Sequence, residues 1–159
     1  MEVLKRTSCR AILLTPDHEI LLIKVENQNG GWHGWITPGG GMEPGETPEQ
    51  ALRRELSEEL SLDHFIFGPN VWLRSHKFPW AGKLYDQDEQ YYLIQTEKFD
   101  PIPSVTPTGF DVDAFKGFRW WKLEELKQSS EEFAPRSMAS LLDDLIFKNV
   151  PTVPKRVDV

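Results

Sequence analysis

"PGGGMEPGETPEQALRRELSEELSL", from Pro38 to Leu62, decides how the rest of the chain is read. It joins three glycines to an acidic stretch patterned as a helix. Thr47 can cap that helix, Pro48 suits its first position, and Gln50 completes a T-x-x-Q capping box. A helix is therefore expected from Thr47 to about Leu60. At about 100° per residue, Leu52, Leu56 and Leu60 share an arc of about 80°. Glu55, Glu58 and Glu59 fall in a neighbouring arc of about 100°. The carboxylates border the apolar stripe instead of opposing it, with Glu59 nearest the leucines. Like charges three and four residues apart repel, and partly desolvated carboxylates resist full ionisation unless a cation joins them.

An all-oxygen donor set of this density suits a hard cation, magnesium or manganese, better than zinc. The plainer alternative is a solvated, salt-bridged helix face with Arg53 and Arg54 as partners. The glycines upstream shift the balance. Gly39, Gly40 and Gly41 allow backbone conformations closed to other residues and a close approach to the main chain. Carbonyls and amides presented beside an acidic helix make a natural site for a metal and a diphosphate.

Working outward, Ser8 to Pro16 reads as a strand, Asp17-His18 as a turn and Glu19 to Glu26 as its hairpin partner. Asn27 to Gly31 is a loop by composition, and Trp32 to Thr37 a short strand. After the helix, Val71 to Trp80 and Asp88 to Phe99 form a pair of strands joined through Ala81 to Gln87. Asp100 to Gly109 is a proline-rich loop, Gly117 to Leu123 a last strand, and Ser140 to Phe147 an amphipathic helix. Strands outnumber the two separated helices. This implies an α+β or α/β/α sandwich, with a mixed β-sheet between helices. Residues 1–150 are expected to form one domain and 151–159 a loose tail.

The bulk properties agree with that reading. The 159 residues suffice for one domain with a real core, and 39% are hydrophobic and 27% charged. No apolar run approaches the roughly 20 residues that span a bilayer, and the start shows no secretory signal, so no membrane partner and a cytoplasmic location are expected. Cys9 is the sole cysteine, which excludes an intrachain disulfide and a cysteine-built zinc site. A net charge of −7 argues against general nucleic-acid binding. It leaves room for a small phosphate-bearing substrate, because local arginines and a divalent cation reverse the field within one cleft.

The stretch resembles the signature of the Nudix hydrolases, G-x(5)-E-x(7)-R-E-U-x-E-E-x-G-U with U aliphatic. Gly40 opens it, Glu46 follows after five residues, and Arg54, Glu55, Leu56, Glu58, Glu59, Leu60 and Leu62 fill the rest. Ser61 alone departs, standing where the family has the glycine that ends the helix; it is expected to strain or reshape that exit slightly. The resemblance implies a Nudix-like fold and Mg2+-dependent (Mn2+ possible) hydrolysis of a nucleoside diphosphate linked to a group X. It implies Glu55, Glu58, Glu59 and the Gly39 carbonyl as metal ligands, with Glu55 orienting or deprotonating water. It implies Glu46 and Arg54 as a structural ion pair.

Further candidates lie outside the box. Some Nudix enzymes carry another acid in the loop before the last strand, where Asp111 and the favoured Asp113 stand against the alternative of turn-forming aspartates. Asp88 and Glu89 are the other choice. Arg10, Trp35 and Trp80 are assigned to substrate binding, although core packing for the tryptophans and an outward-facing position for Arg10, Arg74 and Lys77 compete. Trp120 and Trp121, adjacent in a strand, must face opposite ways. His33 and His76 are expected at the surface or hydrogen-bonded, and Cys9 in the core. A non-catalytic Nudix-fold nucleotide-binding or regulatory domain is the alternative function. An isopentenyl diphosphate isomerase relative is disfavoured by the placement of Cys9. Homodimerisation, common in the family, is compatible with the sequence.

Overall fold

The structure, a computed structural model, describes residues 2–26, 31–80, 82–103 and 115–158, with the side chain of Trp80 excluded. Twelve elements follow in chain order: β1 (Val3–Leu14), β2 (Glu19–Glu26), β3 (His33–Ile36), β4 (Gly39–Gly41), α1 (Pro48–Leu60), β5 (Asn70–Trp80), β6 (Lys83–Gln95), β7 (Phe115–Lys122), α2 (Leu123–Gln128), β8 (Phe133–Ala134), α3 (Met138–Phe147) and β9 (Lys155–Arg156). The sheet runs β8-β3-β2-β1-β6-β5-β9, with β4 also on β1 and β7 also on β2. It is mixed: β1 and β6 are parallel along their whole length, whereas β5 and β6 are antiparallel.

Alternation along the strands builds two cores, one on each face. Cys9, Ala11 and Leu13 of β1, Leu21 of β2, and Tyr92 and Ile94 of β6 pack with Leu52, Leu56 and Leu60 of α1. The intervening Ile12, Leu22 and Tyr91 pack instead with Leu141, Leu142 and Leu145 of α3 and with Leu126 of α2. The result is the α/β/α layering expected, and Trp120 and Trp121 fall into opposite cores as their adjacency requires. No helix among the described residues is long and apolar enough to cross a membrane.

Four expectations change. The β1–β2 hairpin holds only at its base, Leu14↔Ile20; beyond it β1 takes β6 and β4 while β2 takes β7 and β3. The glycine run, expected only to open the main chain to a ligand, is also a strand: Gly39, Gly40 and Gly41 pair antiparallel with Arg10, Cys9 and Ser8. The strand placed at Asp88 begins at Lys83, so β5 and β6 nearly meet at Trp80↔Lys83. The tail is not loose throughout, because β9 adds a parallel strand beside Trp72 and Leu73 of β5, and the Val157 N–H donates to the Leu73 carbonyl at 2.8 Å.

α1 begins and ends on its sequence signals. The Thr47 side chain accepts from the Gln50 N–H, and the Gln50 side chain accepts from the Thr47 N–H at 2.9 Å. At the other end Ser61 takes the left-handed conformation, φ 57° and ψ 30°, that the family's glycine would adopt freely. The exit is therefore kept in shape. Ser61 N–H donates to the Ser57 carbonyl, Leu62 N–H to that of Leu56, and Ser61 Oγ donates to the Ile102 carbonyl.

Candidate active site

The glycine strand and α1 meet where β4 lies over the helix. Gly39 has φ +132°, and a Cβ there would sit 2.1 Å from the Cys9 carbonyl oxygen, so no other residue fits this approach to β1. At Gly40 the obstacle is the site itself: a Cβ would stand 2.7 Å from the Glu55 carboxyl carbon. The first box glycine thus makes room for a carboxylate.

Arg54 gathers the loop and the helix. It grips Glu46 through two parallel bonds of 2.8 and 2.9 Å, donates to the Gly41 carbonyl at 3.0 Å, and reaches Glu55 at 2.9 Å. Glu58 lies 3.7 Å from the same guanidinium. A planar fork held this way orients as well as charges. Arg54's hydrogen bonds hold the Glu46 carboxyl down to about 2.

Glu59 is the most deeply desolvated of the three helix acids. Its side chain accepts from the Gly39 N–H at 2.8 Å. Burial first, and then the charge of Glu55, push its carboxyl up to about 8. Burial also raises Glu55, in spite of the Arg54 bond. Two buried, neighbouring acids that resist ionisation form a site seeking positive charge.

The donor chemistry, three carboxylates on one helix flank, fits a hard divalent cation. As placed, however, no three His, Cys, Asp or Glu side chains among the described residues converge to hold an ion. Glu55 is turned onto Arg54 and Glu59 onto the Gly39 amide. The Gly39 carbonyl, expected as a ligand, accepts from Arg10 Nη1 at 3.0 Å and retains one lone pair.

The remaining candidates separate clearly. Arg10, expected at the substrate, is largely buried, with its Nε on Glu89 and its Nη1 on the Thr37 and Gly39 carbonyls. Trp35 is core, not a stacking platform; it is 6% exposed, packs edge-on against Trp121, and donates to Glu131 at 3.0 Å. The Trp80 side chain, Asp111 and Asp113 lie outside the described residues. Asp88 faces outward to Ser75. Lys77 and His33 are exposed, and His76 is half-buried with its Nδ1 3.1 Å from Arg74. Cys9 is fully buried, and burial pushes its thiol up to about 11, which removes it as a nucleophile.

Arg74 is expected to face outward, and Glu89, with Asp88, is the other choice for the further acid. Arg74 and Glu89 are both buried, and they form an ion pair on the sheet. The available signal was period two: Arg74 and His76 on β5, with Gln87, Glu89 and Tyr91 on β6, occupy alternate positions facing one way.

Comparison with known proteins follows the same lines. The NUDIX domain family model matches residues 4–144. A nucleoside triphosphatase NudI of Escherichia fergusonii is 32% identical over 130 residues, covering 81% of this chain and 91% of that one. An RNA pyrophosphohydrolase of Yersinia enterocolitica is 32% identical over 135 residues, covering 68% and 73%. Among solved structures, the E. coli ORF135 protein superposes with a TM-score of 0.58 at 25% identity, over 92% of this chain and 90% of that one. The MutT protein of Methanosarcina mazei gives 0.60 at 19% identity, over 93% and 99%, a likeness of fold alone.

Proposed function

The chain belongs to the Nudix family of pyrophosphohydrolases, and from that premise we propose that it hydrolyses a nucleoside diphosphate linked to a group X, with a nucleoside triphosphate (X a phosphate) as its substrate class. The observation that carries the reading is the buried Glu55–Glu59 pair beside the glycine strand, together with Glu58, Glu46 and Arg54 in their box positions. A binding domain without catalysis has no need to bury acids that repel one another, so the non-catalytic alternative is the weaker account.

Each residue has a part. Glu58 and Glu59, joined by Glu55 and the free lone pair of the Gly39 carbonyl, would hold magnesium. When bound, a divalent ion neutralises diphosphate oxygens and lowers the pKa of a water molecule. Glu55, bonded to Arg54, would orient the attacking water or take its proton. Arg54 and Glu46 fix the glycine loop against the helix, so the carboxylates keep their spacing through turnover. Asp113, outside the described residues, is proposed as a further acid.

The substrate class takes support from the NudI relative, which shares the larger part of both chains, and from the net charge of −7, which disfavours a long polyanion. The experiment is a panel of nucleoside triphosphates, nucleotide sugars, dinucleotides and 5′-triphosphorylated RNA, assayed with magnesium and with manganese. Turnover of triphosphates that disappears with EDTA and falls at least about hundredfold in Glu58→Gln and Glu59→Gln is expected. Preference for RNA ends would replace the substrate class. Full activity in both variants would remove the metal-site assignment.

A further inference from the structure

Arg10, Arg74 and Glu89 form a buried charged cluster on the sheet that the proposed reaction leaves unused. Their side chains are 14, 8 and 5% exposed. Glu89 is the hub. One carboxylate oxygen accepts from Arg10 Nε at 3.1 Å; the other accepts from Arg74 Nη1 and from the Tyr91 hydroxyl at 3.3 Å. Alternation sets Arg10 with Ile12, on the face away from Cys9 and Ala11.

A buried ion pair is poor value for stability, because apolar side chains of similar volume commonly serve as well. What Arg10 does beyond the pair is therefore the informative part. Its Nη1 donates to the Thr37 carbonyl at 3.4 Å and to the Gly39 carbonyl at 3.0 Å. The Gly39 N–H, on the preceding peptide of the same residue, donates to Glu59 at 2.8 Å. One continuous line of hydrogen bonds runs from Arg74 through Glu89, Arg10 and Gly39 to Glu59. β4 is three residues long and glycine throughout, so it carries no side chains of its own to hold it in place.

We propose that Arg10, aimed by Glu89 and backed by Arg74, is a positioning residue: it clamps the Thr37–Gly39 edge so that the Gly39 amide presents Glu59 to the reacting groups. This rests on the reading of Glu59 as part of the active site. The clamp acts from the face of β1 opposite α1 and reaches the site through the Gly39 peptide. It also explains why an arginine interrupts the apolar run of β1.

The test uses the full chain in EDTA for structure and with magnesium for turnover. The double variant Arg10→Met/Glu89→Gln removes the clamp and its hub at once, and leaves the Arg74 guanidinium without its carboxylate. Arg10→Lys keeps the charge and a single donor, and guards against a double variant that does not fold. Amide exchange over residues 37–41 is expected to quicken at least about tenfold in the double variant and less in Arg10→Lys, with the core of α1 still protected. Turnover is expected to fall about ten- to hundredfold in kcat while KM stays within about twofold. Unchanged exchange at Gly39 in either folded variant overturns the clamp. A wild type that cleaves no phosphoanhydride would instead remove the functional reading, and the exchange result would still decide whether the clamp exists.

Discussion

Burial and the neighbouring Glu55 charge lift the Glu59 carboxyl from its ordinary 4.5 to about 8, so the metal-free fold prefers this acid neutral. A raised carboxyl contributes stability that is complete below the unfolded value and is lost as pH climbs through the folded one. In EDTA, denaturant unfolding should therefore show stability declining between about pH 5 and pH 8.5, by on the order of a few kcal/mol. Glu59→Gln keeps the acceptor for the Gly39 amide and removes the titration. It should flatten that decline and exceed the wild type at pH 8.5, even as turnover collapses. A wild-type profile already flat over this range would contradict the desolvation of Glu59. Gly40 gives a second test at this scale. Gly40→Ala drives a methyl to 2.7 Å from the Glu55 carboxyl, and should cost about 1–3 kcal/mol and most of kcat. Thermal melts and initial rates on the same preparation would separate the two losses.

At the scale of elements, α1 owes its two ends to different kinds of signal. Thr47→Ala removes the box cap and should cost about 1 kcal/mol, read as a shifted denaturant midpoint. At the exit, Ser61→Gly and Ser61→Ala both lose the bond to the Ile102 carbonyl, but only glycine relieves the left-handed strain. The glycine variant should be the more stable of the two by about 1 kcal/mol; equal midpoints would mean that the conformation at Ser61 costs nothing. The helix was legible because caps, stripe and acids all sit within one short window. The sheet was legible only as strands. Nothing near Glu19 says that β2 leaves β1 after one pair, since β6 and β7, the competing partners, lie far along the chain. α2 escaped notice because its six residues, LEELKQ, follow a strand without a break and hold too few turns for a period to show.

For the whole molecule, the C-terminal segment closes the far edge of the sheet. β9 pairs with β5, Val157 packs against the core of the α3 face, and Asp158 accepts from Ser137 at 3.0 Å. Deleting residues 154–159 should lower stability by about 1–3 kcal/mol in denaturant melts and leave kcat and KM unchanged, because the strand touches nothing in the active site. The site divides in the same way between near and far. Its α1 half was readable from Gly40 to Leu62, where spacing alone fixes which groups meet. Its sheet half was not: Glu89 joins Arg10 across 79 residues, and Arg10, taken by itself, looked like a charge facing water.

That distance has a cost in time. Every pairing of the two longest neighbours, from Val3↔Leu84 to Leu14↔Gln95, spans 81 residues. During synthesis β1 can take β2 and β4 early, but its other edge stays unpaired until Gln95 is clear of the exit tunnel, with an apolar run exposed to any passing edge. Non-local closure of this kind slows folding and makes β1 the strand most in need of a chaperone's shelter.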